Sequence, residues 1–122
     1  MMKSTLAVVA VLALAGCVTP KTVLPARMSA LGTEPFWSVE IGPEKLGPLR
    51  YSTPENQPGT AIPAALSAAP PATVWTGTYA GAPFVLRIAP GKCSDGMSDT
   101  VYAWQATLTV SGRTERGCAK SR

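Results

Sequence analysis

Hydrophobic and polar positions alternate residue by residue along several stretches of this chain, the spacing of strands with one buried face. In 36–41, Trp37, Val39 and Ile41 share one side while Ser38 and Glu40 share the other. In 83–89, Phe84, Leu86 and Ile88 oppose Val85 and Arg87. The longest alternation sets Tyr102, Trp104, Ala106, Leu108 and Val110 against Ala103, Gln105, Thr107 and Thr109. Shorter stretches at 49–52, 73–79 and 114–118 complete a set of about six strands. Turns follow from Gly32-Thr33-Glu34-Pro35, Gly42-Pro43, Gly47-Pro48, Tyr79-Ala80-Gly81-Ala82 and Ser111-Gly112. Pro90 and Gly91 predict that the second long strand stops at Ala89.

No helical period appears beyond short turns at 64–69 and 98–101. The expected fold is therefore all-β. It is a small antiparallel sheet, strongly curled or closed into a partial barrel, because a flat sheet this small would expose an apolar face and two edges. Residues 53–72 hold five of the twelve prolines with few large apolar side chains besides Ile62 and Leu66. They predict a long surface connection, either a plain loop or a flap over a binding surface.

The N-terminus has a different pattern. Lys3 precedes ten consecutive apolar residues, 6–15, half of the roughly 20 that a membrane-spanning helix needs. This is the hydrophobic region of an export signal. It ends in Leu14-Ala15-Gly16-Cys17, which resembles the bacterial lipobox; the alternative is an ordinary secretory signal with an incidental cysteine. The resemblance implies a signal peptide at 1–16, diacylglycerol on the Cys17 sulfur and an acyl group such as palmitate on its amine. A lipidated tether then covers 17–30, with Pro20 and Pro25 and no hydrophobic period, and a single β domain covers 31–122. More than one acyl chain makes attachment stable, since each buried methylene contributes about 0.8 kcal/mol. Val18, where lipoproteins retained at the inner membrane typically carry Asp, favours the outer membrane facing the periplasm.

Export bears on the cysteines. Of three, Cys17 is assigned to lipid, leaving Cys93 and Cys118. In an oxidising periplasm two such cysteines in a small domain usually pair. The rival is a metal site, but with two thiols and no histidine anywhere it would need two carboxylates, and no metal or cofactor is expected. Eleven basic and seven acidic residues give 11 − 7 = +4. Arg113, Arg116, Lys120 and Arg122 gather near the C-terminus, as a solvated end or a contact for anionic lipid or polysaccharide. Nucleic acid is not an expected partner of an exported, tethered chain.

Candidate chemistry is sparse. Glu34 stands just ahead of a strand and close to the Trp37 indole; it could recognise a cationic group, accept turn amides or pair with an arginine. The turn-rich segment Lys92-Cys93-Ser94-Asp95-Gly96-Met97-Ser98-Asp99 offers Asp95 and Asp99 as calcium ligands or as braces for the turn. Met97 is expected to plug the end of the core. Without histidine there is no Ser-His or Cys-His pair. Nothing in the spacing argues for Glu34 and Asp95 as a glycosidase pair, so an enzyme is not expected.

Taken together, Gly32-Thr33-Glu34-Pro35-Phe36-Trp37, Gly81-Ala82-Pro83-Phe84, the Cys93–Asp99 run with Tyr102, and Gly117-Cys118 resemble a group of bacterial envelope lipoproteins that sometimes accompany heat-shock-related META domains. The resemblance spans about 32–119. One departure is Ala103, where proline is expected after the tyrosine. It implies an envelope address and paired cysteines and supplies no mechanism. The expected function is that of a non-enzymatic, lipid-anchored binding or structural protein, bound to the membrane through its N-terminal lipid and to an envelope-protein or cell-wall partner. Two alternatives are an inhibitor of a wall-degrading enzyme such as lysozyme, which rests on fold analogy, and a carrier of a small apolar ligand.

Overall fold

A computed structural model describes residues 24–42 and 48–122 of the chain; the signal segment 1–16 and Cys17 lie outside them. Among the described residues there are nine strands: β1 (Met28–Thr33), β2 (Phe36–Ile41), β3 (Leu49–Thr53), β4 (Asn56–Ile62), β5 (Ala64–Ala69), β6 (Ala72–Tyr79), β7 (Ala82–Ser94), β8 (Val101–Val110) and β9 (Arg113–Ser121). They form one sheet in the order β4-β3-β2-β1-β9-β8-β7-β6-β5. The all-β fold and the curled antiparallel sheet agree with expectation, but the strands number nine rather than about six.

Seven consecutive pairs are antiparallel, and β1 also pairs antiparallel with β9, matching Met28 with Ser121 and Ala30 with Ala119. An antiparallel β1–β9 ladder requires an odd number of chain reversals. The seven hairpin-type steps already supply them, so β4 and β5 do not reverse. They are two halves of one strand bent at Pro63, the first half pairing with β3 and the second with β6. The two edges of the sheet therefore meet at this corner, which forces the curl. The Pro63 carbonyl lies over Gly77 of β6, where a side chain would have no room.

The inward positions are those that the alternation marks. Trp37, Val39 and Ile41, then Phe84, Leu86 and Ile88, then Ala106, Leu108 and Val110 are all buried. Trp75 and Phe84 are the largest fully buried side chains, and Tyr51 packs edge-on against Tyr79 with ring centroids 5.0 Å apart. Two of the two-residue hairpin turns, Ala80-Gly81 and Ser111-Gly112, have positive φ at each position. This is the geometry whose twist matches the strands on either side.

Four expectations are corrected. The stretch 17–30, read as tether, already contributes to the sheet: Met28 and Ala30 are buried strand residues, and Leu24 is in the core. The connection 53–72 and the helical turn at 64–69 are replaced by β4 and β5. Ala64-Ala65-Leu66-Ser67-Ala68-Ala69 has too few large side chains to display its alternation. In the 98–101 turn, residues 98 and 99 are bends and Val101 already opens β8. Finally, β7 continues through Pro90 to Ser94. Beyond Ile88 it pairs with β8 alone, so one side of the segment has no ladder for a proline to interrupt. A bulge between Pro90 and Cys93 absorbs the irregularity.

Candidate functional site

Register places Leu31, Cys118 and Gln105 in one row across β1, β9 and β8, and Ala30, Ala119 and Trp104 in the next. Neighbouring rows point to opposite faces, so one of Cys118 and Ala119 should be solvent-facing, yet both are buried, at 1% and 0% exposed. Ala119 is covered by the barrel interior. Cys118 is covered from outside by the β7–β8 loop, which folds back over β9. The Cys93–Cys118 disulfide fixes it there, with Cα atoms 5.6 Å apart. Thr33 Oγ1 adds a second attachment by donating to the Asp95 carbonyl at 3.0 Å.

Under this loop lies an open cleft of about 390 Å³. Its walls come from Gly32, Thr33 and Glu34 at the end of β1, from Cys93 to Met97 in the loop, and from Arg116 and Gly117 on β9. Three stretches that are far apart in sequence thus meet at one place. The close fit depends on two glycines. A side chain at Gly32 would meet the Trp37 indole, and one at Gly117 would meet the Leu31 carbonyl and Trp37 Cζ2. The indole therefore lies against both backbones and is 5% exposed. Its role is packing, and it presents little surface to a ligand. A second hollow of about 300 Å³ adjoins the first across Leu31, Gly32 and Thr33, and is lined further by Phe36, Trp37 and Gln57.

Asp95 organises the loop. Its Oδ1 accepts the Met97 and Ser98 amides at 2.9 and 2.8 Å, and its Oδ2 accepts Ser98 Oγ at 2.9 Å and the Tyr102 hydroxyl at 2.9 Å. These donors favour the ionised carboxyl, the backbone amides most, and hold its pKa at about 2. The same contact raises the pKa of Tyr102. With both oxygens engaged by its own turn, Asp95 acts as a brace. Asp99 is exposed, and no group of three metal-ligating side chains occurs among the described residues.

Glu34 is exposed on the cleft rim, with neither a turn amide nor an arginine as partner among the described residues. Met97, expected to plug the core, is 68% exposed, because the loop lies outside the sheet rather than across its end. Phe36 is 54% exposed. Sequence reasoning did not single out Thr33, Phe36 or Arg116 as site residues. Thr33 and Phe36 lay inside a motif already noted, whereas the place of Arg116 depends on register. Cys17 lies outside the described residues. No family model, no curated protein and no solved structure matches this chain.

Proposed function

We propose that this chain is a lipid-anchored module of the bacterial envelope that works by binding a partner, not by catalysis, and that its docking surface is the cleft under the β7–β8 loop. The observation that carries this reading is the convergence of Gly32-Thr33-Glu34, Cys93–Met97 and Arg116-Gly117 on one open surface. A free carboxylate at Glu34 and an exposed apolar side chain at Met97 are the groups that a protein or cell-wall partner would engage. The disulfide supports export to an oxidising compartment. Binding is assigned outside the barrel because the inward positions are filled by Trp75, Phe84, Leu86, Ile88 and Leu108, each 0% exposed.

The test is capture from envelope extracts by the acylated protein, comparing wild type with Glu34→Arg and Met97→Asp. A partner retained by wild type and lost by both variants is the expected result. Equal retention by all three would remove the cleft from consideration. The anchor is checked separately: Cys17→Ala should leave the protein out of the detergent phase on fractionation, and wild-type partitioning by that variant would refute lipid attachment. In the same preparation, failure to slow lysozyme at micromolar excess would exclude the inhibitor version of this reading.

A further inference from the structure

Arg87 on β7, Thr107 on β8 and Arg116 on β9 stand directly opposite one another in one register row. Directly opposed residues in an antiparallel sheet share a face, and two strand spacings put the arginine backbones about 10 Å apart. Both arginines are exposed. Beside this row the β7 bulge opens a hollow of about 310 Å³, lined by Lys92, Ser94, Gln105, Thr107 and Arg116 among others. The Gln105 amide donates to the Lys92 carbonyl at 3.3 Å and forms a wall of the hollow.

No carboxylate lines this hollow. Those closest in sequence are occupied elsewhere. Glu115, next to Arg116 but on the opposite face, pairs with Arg113 at 3.4 Å, and Asp95 is saturated within its own turn. Arg122, by contrast, is neutralised by Glu40 at 3.4 Å. Lys92 and Arg116 line the hollow together with two hydroxyls, Ser94 and Thr107, Arg87 stands at the far end of the row beyond that lining, and none of the three cations has an ion-pair partner among the described residues. Guanidinium forks match the oxygens of a tetrahedral oxyanion two at a time, and hydroxyls donate to the remaining oxygens.

We infer that this hollow and the register row beside it form one binding site for a phosphate group, held over Thr107 by Arg116, Lys92 and Ser94 of the hollow, with Arg87 approaching from the far end of the row. The inference goes beyond partner docking in the neighbouring cleft; the two surfaces share Ser94 and Arg116, but Glu34 and Met97 line the cleft alone, so phosphate binding that persists in the Glu34 and Met97 variants separates this site from the docking reading. The phosphate comes either as the free anion or on a lipid headgroup, and the experiment separates the two.

The full chain carrying Cys17→Ala, which removes the acyl anchor, is titrated with inorganic phosphate and with acetate at constant ionic strength while amide NMR shifts are followed. Phosphate should saturate shifts at Ser94, Thr107 and Arg116, and acetate should not. Arg116→Gln and Arg87→Gln should each weaken phosphate at least tenfold, whereas Arg122→Gln should leave it unchanged. Unaltered thermal midpoints and an intact disulfide report that the variants are folded. Co-sedimentation with phosphatidylcholine vesicles, with and without phosphatidylglycerol, supplies the second arm. Vesicle binding lost in Arg87→Gln and Arg116→Gln identifies a headgroup, and phosphate binding alone lost in them identifies the free anion. Equal response to acetate, equal weakening by Arg122→Gln, or indifference of both arms to Arg87 and Arg116 would overturn the site.

Discussion

Removing the Cys93–Cys118 bond is the perturbation whose magnitude follows most directly from the structure. The bond closes a loop of 25 residues. The chain-entropy relation gives about 11.7 cal/mol/K for that length, or about 3.5 kcal/mol at 25 °C. For a domain of this size that corresponds to a fall in Tm of roughly 15–25 °C. Cys93→Ala, Cys118→Ala and the double variant should all lose about this amount, because whichever sulfur goes, one bond is lost. The double-mutant cycle should then show a coupling energy close to the full effect. Serine is the less suitable replacement at 118, where the side chain is 1% exposed and a hydroxyl without a partner adds about 1–3 kcal/mol. Urea unfolding under oxidising and reducing conditions is the assay. Single variants whose losses add in the double, or a wild type whose midpoint ignores reductant, would refute the reasoning.

Three further outcomes follow from the packing and the loop. Gly117→Ala drives a methyl group against the Leu31 carbonyl and the Trp37 ring; since backbone cannot yield as a side chain can, it should cost about 1–3 kcal/mol, read as a lower urea midpoint with the disulfide intact. Trp75→Ala, at a 0% exposed position, should cost about 3–5 kcal/mol and leave a marginal domain by calorimetry; a loss under about 1 kcal/mol, the scale of a surface substitution, would mean the interior is not packed as described. Asp95 has a pKa depressed to about 2 when folded against 3.8 for the ordinary group, so its stabilisation is present above pH 3.8 and lost as the pH falls through about 2. Asp95→Asn should therefore flatten the stability profile between those values, and an unchanged acid limb in denaturant titrations would contradict the brace.

What was legible in the sequence divides along a physical line. In β2, β7 and β8 one face meets a dense interior and the other meets solvent or polar neighbours, so large apolar residues fall on every second position. In β1 the inward residues are Met28, Ala30 and Gly32 while Leu31 points outward, which inverts the expected contrast. In β5 the residues are almost all alanine or serine, and in β4 Pro58 and Gly59 look like a loop although the strand lies at a sheet edge where a proline is tolerated. The site was legible only in pieces. Cys93 and Cys118 paired as composition and compartment suggested, and Asp95 braced its turn as its residue type suggested. That Gly32, Met97 and Arg116 line the same cleft depends on register and on a loop folding backwards, neither of which is a local property.

The placement of that cleft also follows from how the sheet closes. The bent strand at Pro63 brings the edges together without a continuous ladder between β4 and β5, so the seam is the weakest part of the wall. Opposite it, β7, β8, β9 and β1 form a run of consecutively paired strands, interrupted by the β7 bulge between Pro90 and Cys93 and crossed on the outside by the disulfide and by the Thr33–Asp95 hydrogen bond. A site is most exact when its side chains project from elements that cannot shift independently. Leu31 to Thr33, Cys93-Ser94, Arg116-Gly117 and the Arg87–Thr107–Arg116 row belong to this run, and the loop residues Asp95 to Met97 are held against it by the disulfide and the Thr33–Asp95 bond. Substitutions at the seam, such as Ala65 or Ser67, should therefore alter stability while leaving the geometry of both surfaces unchanged, and substitutions at Cys93 or Thr33 should do the reverse of sparing them, loosening the β7–β8 loop even where the sheet beneath it stays folded.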